Sequence, residues 1–137
     1  MINLVVVDYQ SGNLRSVARA LESVGVVPLV TADPAYLQAA DAVVLPGVGS
    51  APAAMAALQE RGLVRPLREY VTSGRPFLGV CLGLQLLMER SEEGAAECLG
   101  LVPGEVKRLP SGLKVPHMGW NSVRLHGEHP ATRGIPQ

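Results

Sequence analysis

The sequence is short of aromatic residues, cysteine and net charge, and each shortage excludes something. One Trp, three Tyr and one Phe in 137 residues leave a core built almost wholly from aliphatic side chains. The two cysteines, Cys81 and Cys98, are too few for a disulfide framework, and their spacing fits no metal site. No metal or cofactor is expected, and a reducing cytoplasm is the expected compartment. Twelve basic and twelve acidic residues cancel, with no basic block. That leaves no footing for nucleic acid or an anionic membrane surface. No apolar stretch approaches the roughly 20 residues a membrane span needs. The N-terminal "MINLVVVDYQ" has no basic region before its short apolar run, so it reads as a first strand and not a signal peptide.

What is present is alternation. "INLVVVD" (2–8) is the continuous apolar run of a strand buried on both faces. Leu14, Val17, Ala18, Leu21 and Val24 follow at helical spacing, with Gly25 as a stop. "VVPLVT" (26–31) is a second strand whose proline suggests an edge or an irregular start. Residues 34–39 form a short helix and "DAVVLPG" (41–47) a third strand. Ser50 is the expected N-cap of an Ala-rich helix closed by Gly62, and residues 63–73 are helical again. "RPFLGV" (75–80) is the fourth strand and 82–89 the helix after it. This order predicts one α/β domain: a doubly wound, mainly parallel sheet with flanking helices. Beyond residue 90, "LGLVPGEVKRLP" and "KVPHMGWNSVRL" read as strands, expected antiparallel.

Chemistry points to "GVCLG" (79–83). A nucleophile on a sharp strand-to-helix turn, flanked by glycines at spacing two, is the arrangement of G-x-S-x-G elbows, here with cysteine. At the start of the helix near Leu82, the dipole and free N–H groups would favour a thiolate, and the Leu82 N–H could donate to an oxyanion. The alternative is a small buried thiol, which is how Cys98 reads. Asp8 and "PGVG" (46–49) end the first and third strands. They therefore fall on the same sheet edge, where open α/β proteins bind ligands. The alternative there is a plain turn.

"DYQSGNLRSV", "LPGVGSAPAAM", "GVCLGLQLLMERSEEG", "GLVPGEVKRL" and "KVPHMGWN" occur in this order. Together they resemble the class I (triad) glutamine amidotransferases, and among them the glutaminase subunits of imidazole glycerol phosphate synthase. The elbow is shared by all triad amidotransferases, whereas "DYxSGNL" with "KVPHMGWN" is specific to this subunit. The resemblance implies that Cys81 attacks the glutamine side-chain amide to form a glutamyl thioester and release ammonia. It assigns Gly47, Val48 and Gly49 to an oxyanion strand, with Leu82 the other donor. It gives Gln85 and Glu93 to the glutamine substrate. Asn13, Pro116, His117, Met118, Gly119 and Trp120 fall to a face that docks on a (β/α)8-barrel cyclase subunit. From the residues alone, Trp120, Met118 and Pro116 alternate along an expected strand, and a lone Trp is more often core than interface, although Trp is enriched at interface hot spots. Gln10 stands where the family often has glycine.

A thiol nucleophile of this type needs an imidazole oriented by a third group. The family carries His and Glu close together, as H-P-E, late in the chain. The histidines here are His117, His126 and His129. "EHP" (128–130) matches an earlier H-P segment and no glutamate follows, His117 belongs to the docking motif, and His126 lies in a polar loop. The expectation is a domain over 1–137 that lacks the catalytic His and Glu and does not turn over by itself. Three readings stand: a glutaminase feeding ammonia to a synthase, a non-catalytic docking module for the same partner, and a cysteine hydrolase outside amide transfer. "KVPHMGWN" speaks against the third.

Overall fold

The structure, a computed structural model, describes residues 2–135. Strands β1 (Leu4–Val7), β2 (Leu29–Thr31), β3 (Ala42–Leu45) and β4 (Phe77–Gly79) form a parallel sheet in the order β2-β1-β3-β4. β2 starts just after Pro28 and lies at the edge, where a missing N–H costs no ladder bond. Helices α1 (Leu14–Ser23), α2 (Pro34–Ala39), α3 (Ala51–Glu60), α4 (Val64–Thr72) and α5 (Leu82–Gln85) fill the connections. Asn13 caps α1 by accepting from the Ser16 N–H at 3.3 Å, and Asp33 caps α2 through Ala35 at 2.9 Å. Val24 falls outside α1 and is exposed.

Right-handed crossovers decide the layers. The step from β1 to β2 runs opposite to the steps from β2 to β3 and from β3 to β4. It places α1 on one face and α2, α3 and α4 on the other. The core follows: Val5, Val7, Val43 and Leu45 pack with Leu37, Leu58, Leu67 and Tyr70, all buried. On the α1 face, register aligns Val30, Val6, Val44 and Leu78 in one row. Val6 and Val44 are buried, while Val30 and Leu78 at the sheet edges are exposed.

Past the fourth strand the structure departs from expectation. The helix expected over 82–89 stops at Gln85, and Met88–Ser91 is a strand, β5. The carbonyls of Leu86 and Leu87 explain it. They accept from the N–H groups of Leu99, Leu101 and Val102, each at 2.8 Å, which draws the chain after Gln85 alongside residues 99–102 instead of into another helical turn. β5 is the centre of a second sheet, β6-β5-β7, with β6 (Ala96–Glu97) and β7 (Val102–Val106). β5 and β6 are antiparallel, but β5 and β7 are parallel with a register shift between Met88 and Arg90, against the antiparallel expectation. Arg68 of α4 ties this sheet to the first core by donating to the carbonyls of Leu99 (2.8 Å) and Cys98 (3.3 Å).

"KVPHMGWNSVRL" forms no strand. Residues 107–124 are all exposed, and Pro130–Thr132 is a single 3-10 turn. Alternation makes a strand only where a neighbouring edge accepts it, and none is paired with this stretch among the described residues. No helix is long and apolar enough to cross a membrane among those residues.

Candidate active site

Cys81 follows β4 by two residues and occupies the N-cap position of α5, with φ 55° and ψ −117°. A non-glycine residue there is strained, and the surrounding turn holds it. The Val80 N–H donates to Leu45 O at 3.0 Å, and the N–H groups of Leu84 and Gln85 return to Cys81 O at 3.0 and 3.2 Å. The flanking glycines are steric necessities. A Cβ on Gly79 would lie 2.7 Å from Leu84 Cα, and one on Gly83 would overlap the Leu45 carbonyl. Cys81 is thus exposed at the sheet edge, whereas Cys98 is buried. Burial pushes the Cys98 thiol up from its ordinary range, and Glu97 adds to this. α5 is a single turn, so the dipole expected to favour a thiolate is small.

The loop after β3 lies against this turn. A Cβ on Gly47 would sit 2.9 Å from both the Gly83 N and Leu82 Cβ, and 2.5 Å from the Tyr9 hydroxyl. Backbone alone fits there. Tyr9, fully buried, donates to Pro46 O at 2.9 Å, and Ser11 donates to Val48 O at 2.6 Å. Burial raises the Tyr9 phenol above its ordinary range, Cys81 adding to the rise and Ser11 opposing it, so the phenol remains a donor at neutral pH. Gln10 has φ 64°, and its N–H donates to Asp8 Oδ1 at 2.9 Å. That left-handed conformation suits glycine, which accounts for the residue the family often places there.

Gln85 ends α5, one turn after Cys81. Glu93 lies in a 3-10 turn (Glu93–Ala95), and its carboxylate accepts from the Ala51 N–H at 3.1 Å. Ser50 holds the N-cap position of α3 but makes no side-chain cap bond, so the remote Glu93 supplies the cap. Gly47, Val48, Gly49, Leu82 and Glu93 therefore gather around the elbow edge and the head of α3. Asn13 is exposed at the head of α1. Pro116, His117, Met118, Gly119 and Trp120 are exposed and in no regular element, with Trp120 entirely in solvent. That replaces the expected strand alternation.

No histidine is bonded to Cys81 among the described residues. His117 pairs with Asn121 at 3.3 Å, and His129 accepts from the Ala131 N–H at 3.1 Å. A cavity of about 460 Å³ is lined by residues of 125–133, His129 included, and contains none of the elbow residues. No group of three metal-ligating side chains occurs among the described residues. Sequence reading missed Tyr9 and Ser11. Their signal was membership of the "DYxSGNL" motif, which gave them no role.

A strained cysteine between a parallel strand and a helix, faced by a glycine loop, defines a class, and comparison with known proteins names it. The profile of the CobB/CobQ-like glutamine amidotransferase domain matches residues 9–111. The chain belongs to the glutamine amidotransferase family. Imidazole glycerol phosphate synthase subunit HisH of Synechococcus elongatus is 56% identical over 89% of this chain and 57% of its own length. Subunit HisH of Moorella thermoacetica is 54% identical over 97% of this chain and 64% of its own. A crystal structure of a glutamine amidotransferase superposes with TM-score 0.62 at 22% identity, over 72% of this chain and 52% of the other, which speaks for the fold. The chain thus spans about three-fifths of the curated relatives it matches.

Proposed function

We propose that this chain is the glutamine-cleaving part of an imidazole glycerol phosphate synthase glutaminase subunit, acting in the cytoplasm in histidine biosynthesis. The carrying observation is Cys81, exposed at φ 55° on a turn whose next residues, Leu82 and Gly83, pack against the Gly47 backbone. The thiolate attacks the side-chain carbonyl carbon of glutamine. A C–S bond forms, the C–N bond breaks, and the amide nitrogen leaves as ammonia after taking from water the proton that the thiol released to it. Water then cleaves the thioester to glutamate. Gly47, Val48, Gly49 and Leu82 stabilise the oxyanion, and Gln85 and Glu93 hold the substrate. Asn13 and Pro116–Trp120 face a (β/α)8-barrel cyclase subunit that consumes the ammonia, in a heterodimer without metal or cofactor.

Acylation is the step these residues support. Deacylation needs a base to activate water, and no histidine is bonded to Cys81 among the described residues. This favours the second reading for the chain by itself, a docking module without turnover. A chloroketone analogue of glutamine should label Cys81 and spare Cys98. Equal labelling of both in the folded protein would remove Cys81 from the site. Ammonia release from glutamine by residues 1–137 with the cyclase subunit should stay at background. Robust release would make His126 or His129 the base, to be checked by His→Ala at each.

A further inference from the structure

Building on the oxyanion role proposed for residues 47–49, we propose that Tyr9 and Ser11 are positioning residues whose hydroxyls aim the Gly47 and Gly49 N–H groups by holding the carbonyls of Pro46 and Val48. A peptide group is planar and trans, so its C=O and N–H point opposite ways. The Pro46 carbonyl shares a plane with the Gly47 N–H, and the Val48 carbonyl shares one with the Gly49 N–H. A hydroxyl that fixes one end of each plane fixes the other.

The loop needs such anchors. It contains two glycines, one at φ 96°, and glycine leaves neighbouring peptide planes free to swivel. Tyr9 Oη to Pro46 O is 2.9 Å in a fully buried setting, and Ser11 Oγ to Val48 O is 2.6 Å. The turn that carries both lies flat on the loop, since a Cβ on Gly12 would sit 3.5 Å from Gly47 N and from Pro46 Cβ. Both anchors come from one short segment after β1, and their targets, the Pro46–Gly47 and Val48–Gly49 peptides, lie on either side of the Gly47–Val48 peptide. An oxyanion donor acts only within a few tenths of an ångström of its place, so donor direction is the property the two hydroxyls control.

The test compares two electrophiles at Cys81 of the 137-residue chain, read by mass spectrometry. With the γ-para-nitrophenyl ester of glutamate, the thiolate attacks a carbonyl, an oxyanion develops, and para-nitrophenolate leaves. With iodoacetamide it displaces iodide at saturated carbon and no oxyanion forms. Ser11→Ala and Tyr9→Phe should each slow acylation about tenfold and leave iodoacetamide alkylation unchanged, and Ser11→Thr should restore acylation. Equal slowing with both electrophiles, or no slowing with either, overturns the positioning role while the site reading stands. Wild-type Cys81 acylating no faster when folded than in urea overturns the oxyanion reading and the positioning role together.

Discussion

The two faces of the four-stranded sheet are covered unequally. Three helices close one face, and Leu37, Leu58, Leu67 and Tyr70 are buried there to within 1% of full. One helix, α1, lies on the other face and has no fully buried residue, and Leu78, on the same face at the β4 edge, is 56% exposed. Yet α1 has as clean an apolar stripe as any helix in the chain. Periodicity says which way a helix turns its apolar side, whereas the neighbours decide how much of that side leaves water. The Cys81 turn and the Gly47 loop are anchored through the closed face: Leu45 O accepts from Val80, and Leu82 and Leu86 belong to that core.

The largest test of this inequality is Leu58→Ala, which should cost about 3 kcal/mol by denaturant unfolding, as a buried leucine cavity does. Arg68→Ala comes next, at about 1–2 kcal/mol, because the Leu99 and Cys98 carbonyls lose a charged donor. Leu78→Ala, its edge already in water, should cost about 0.5 kcal/mol. A loss there matching that of Leu58→Ala would erase the distinction between the faces.

The smallest effect is with pH and belongs to neither face. Among the described residues the first core buries no carboxylate, histidine, lysine or arginine, and its tyrosines and Cys98, raised by burial, stay neutral on acidification. On the second sheet the Arg108 N–H, and then Lys107, hold the Glu92 carboxyl below its usual range, and Lys107 with Arg90 does so for Glu105. Groups depressed on folding contribute fully above the ordinary carboxylate range and lose that contribution as pH falls through their folded values. Melting temperature should therefore drop on acidification, less steeply in Glu105→Gln and less steeply in high salt, since these groups are exposed. An unchanged slope in Glu105→Gln would assign the acid sensitivity elsewhere.

The first 79 residues are legible in sequence because each strand is a short apolar run and each helix carries its own cap or stop nearby. The elbow is legible for the same local reason: spacing and two glycines suffice. What escapes is non-local. β5 reads "MERS", and its pairing depends on Leu86 and Leu87 giving their carbonyls to residues more than ten positions ahead. The strand expected through Met118 and Trp120 fails because alternation carries no information about whether an edge is offered. Ser50 reads as a cap by type, but the bond comes from Glu93, 42 residues away. Tyr9 and Ser11 stood in the "DYxSGNL" motif, but their role was not legible because a hydroxyl near a strand end says nothing about which carbonyl it will meet.

That remote cap has a cost at the point of ligand exchange. The Glu93 carboxylate already satisfies the Ala51 N–H at the head of α3. Any incoming group that recruits it through an ammonium or amide must displace that bond or share it. An N-cap contributes about 1 kcal/mol, so complete displacement would weaken the apparent Kd about fivefold. Affinity and the stability of α3 are then coupled variables, and tighter binding through Glu93 is expected to loosen the first turn of the helix that follows the glycine loop.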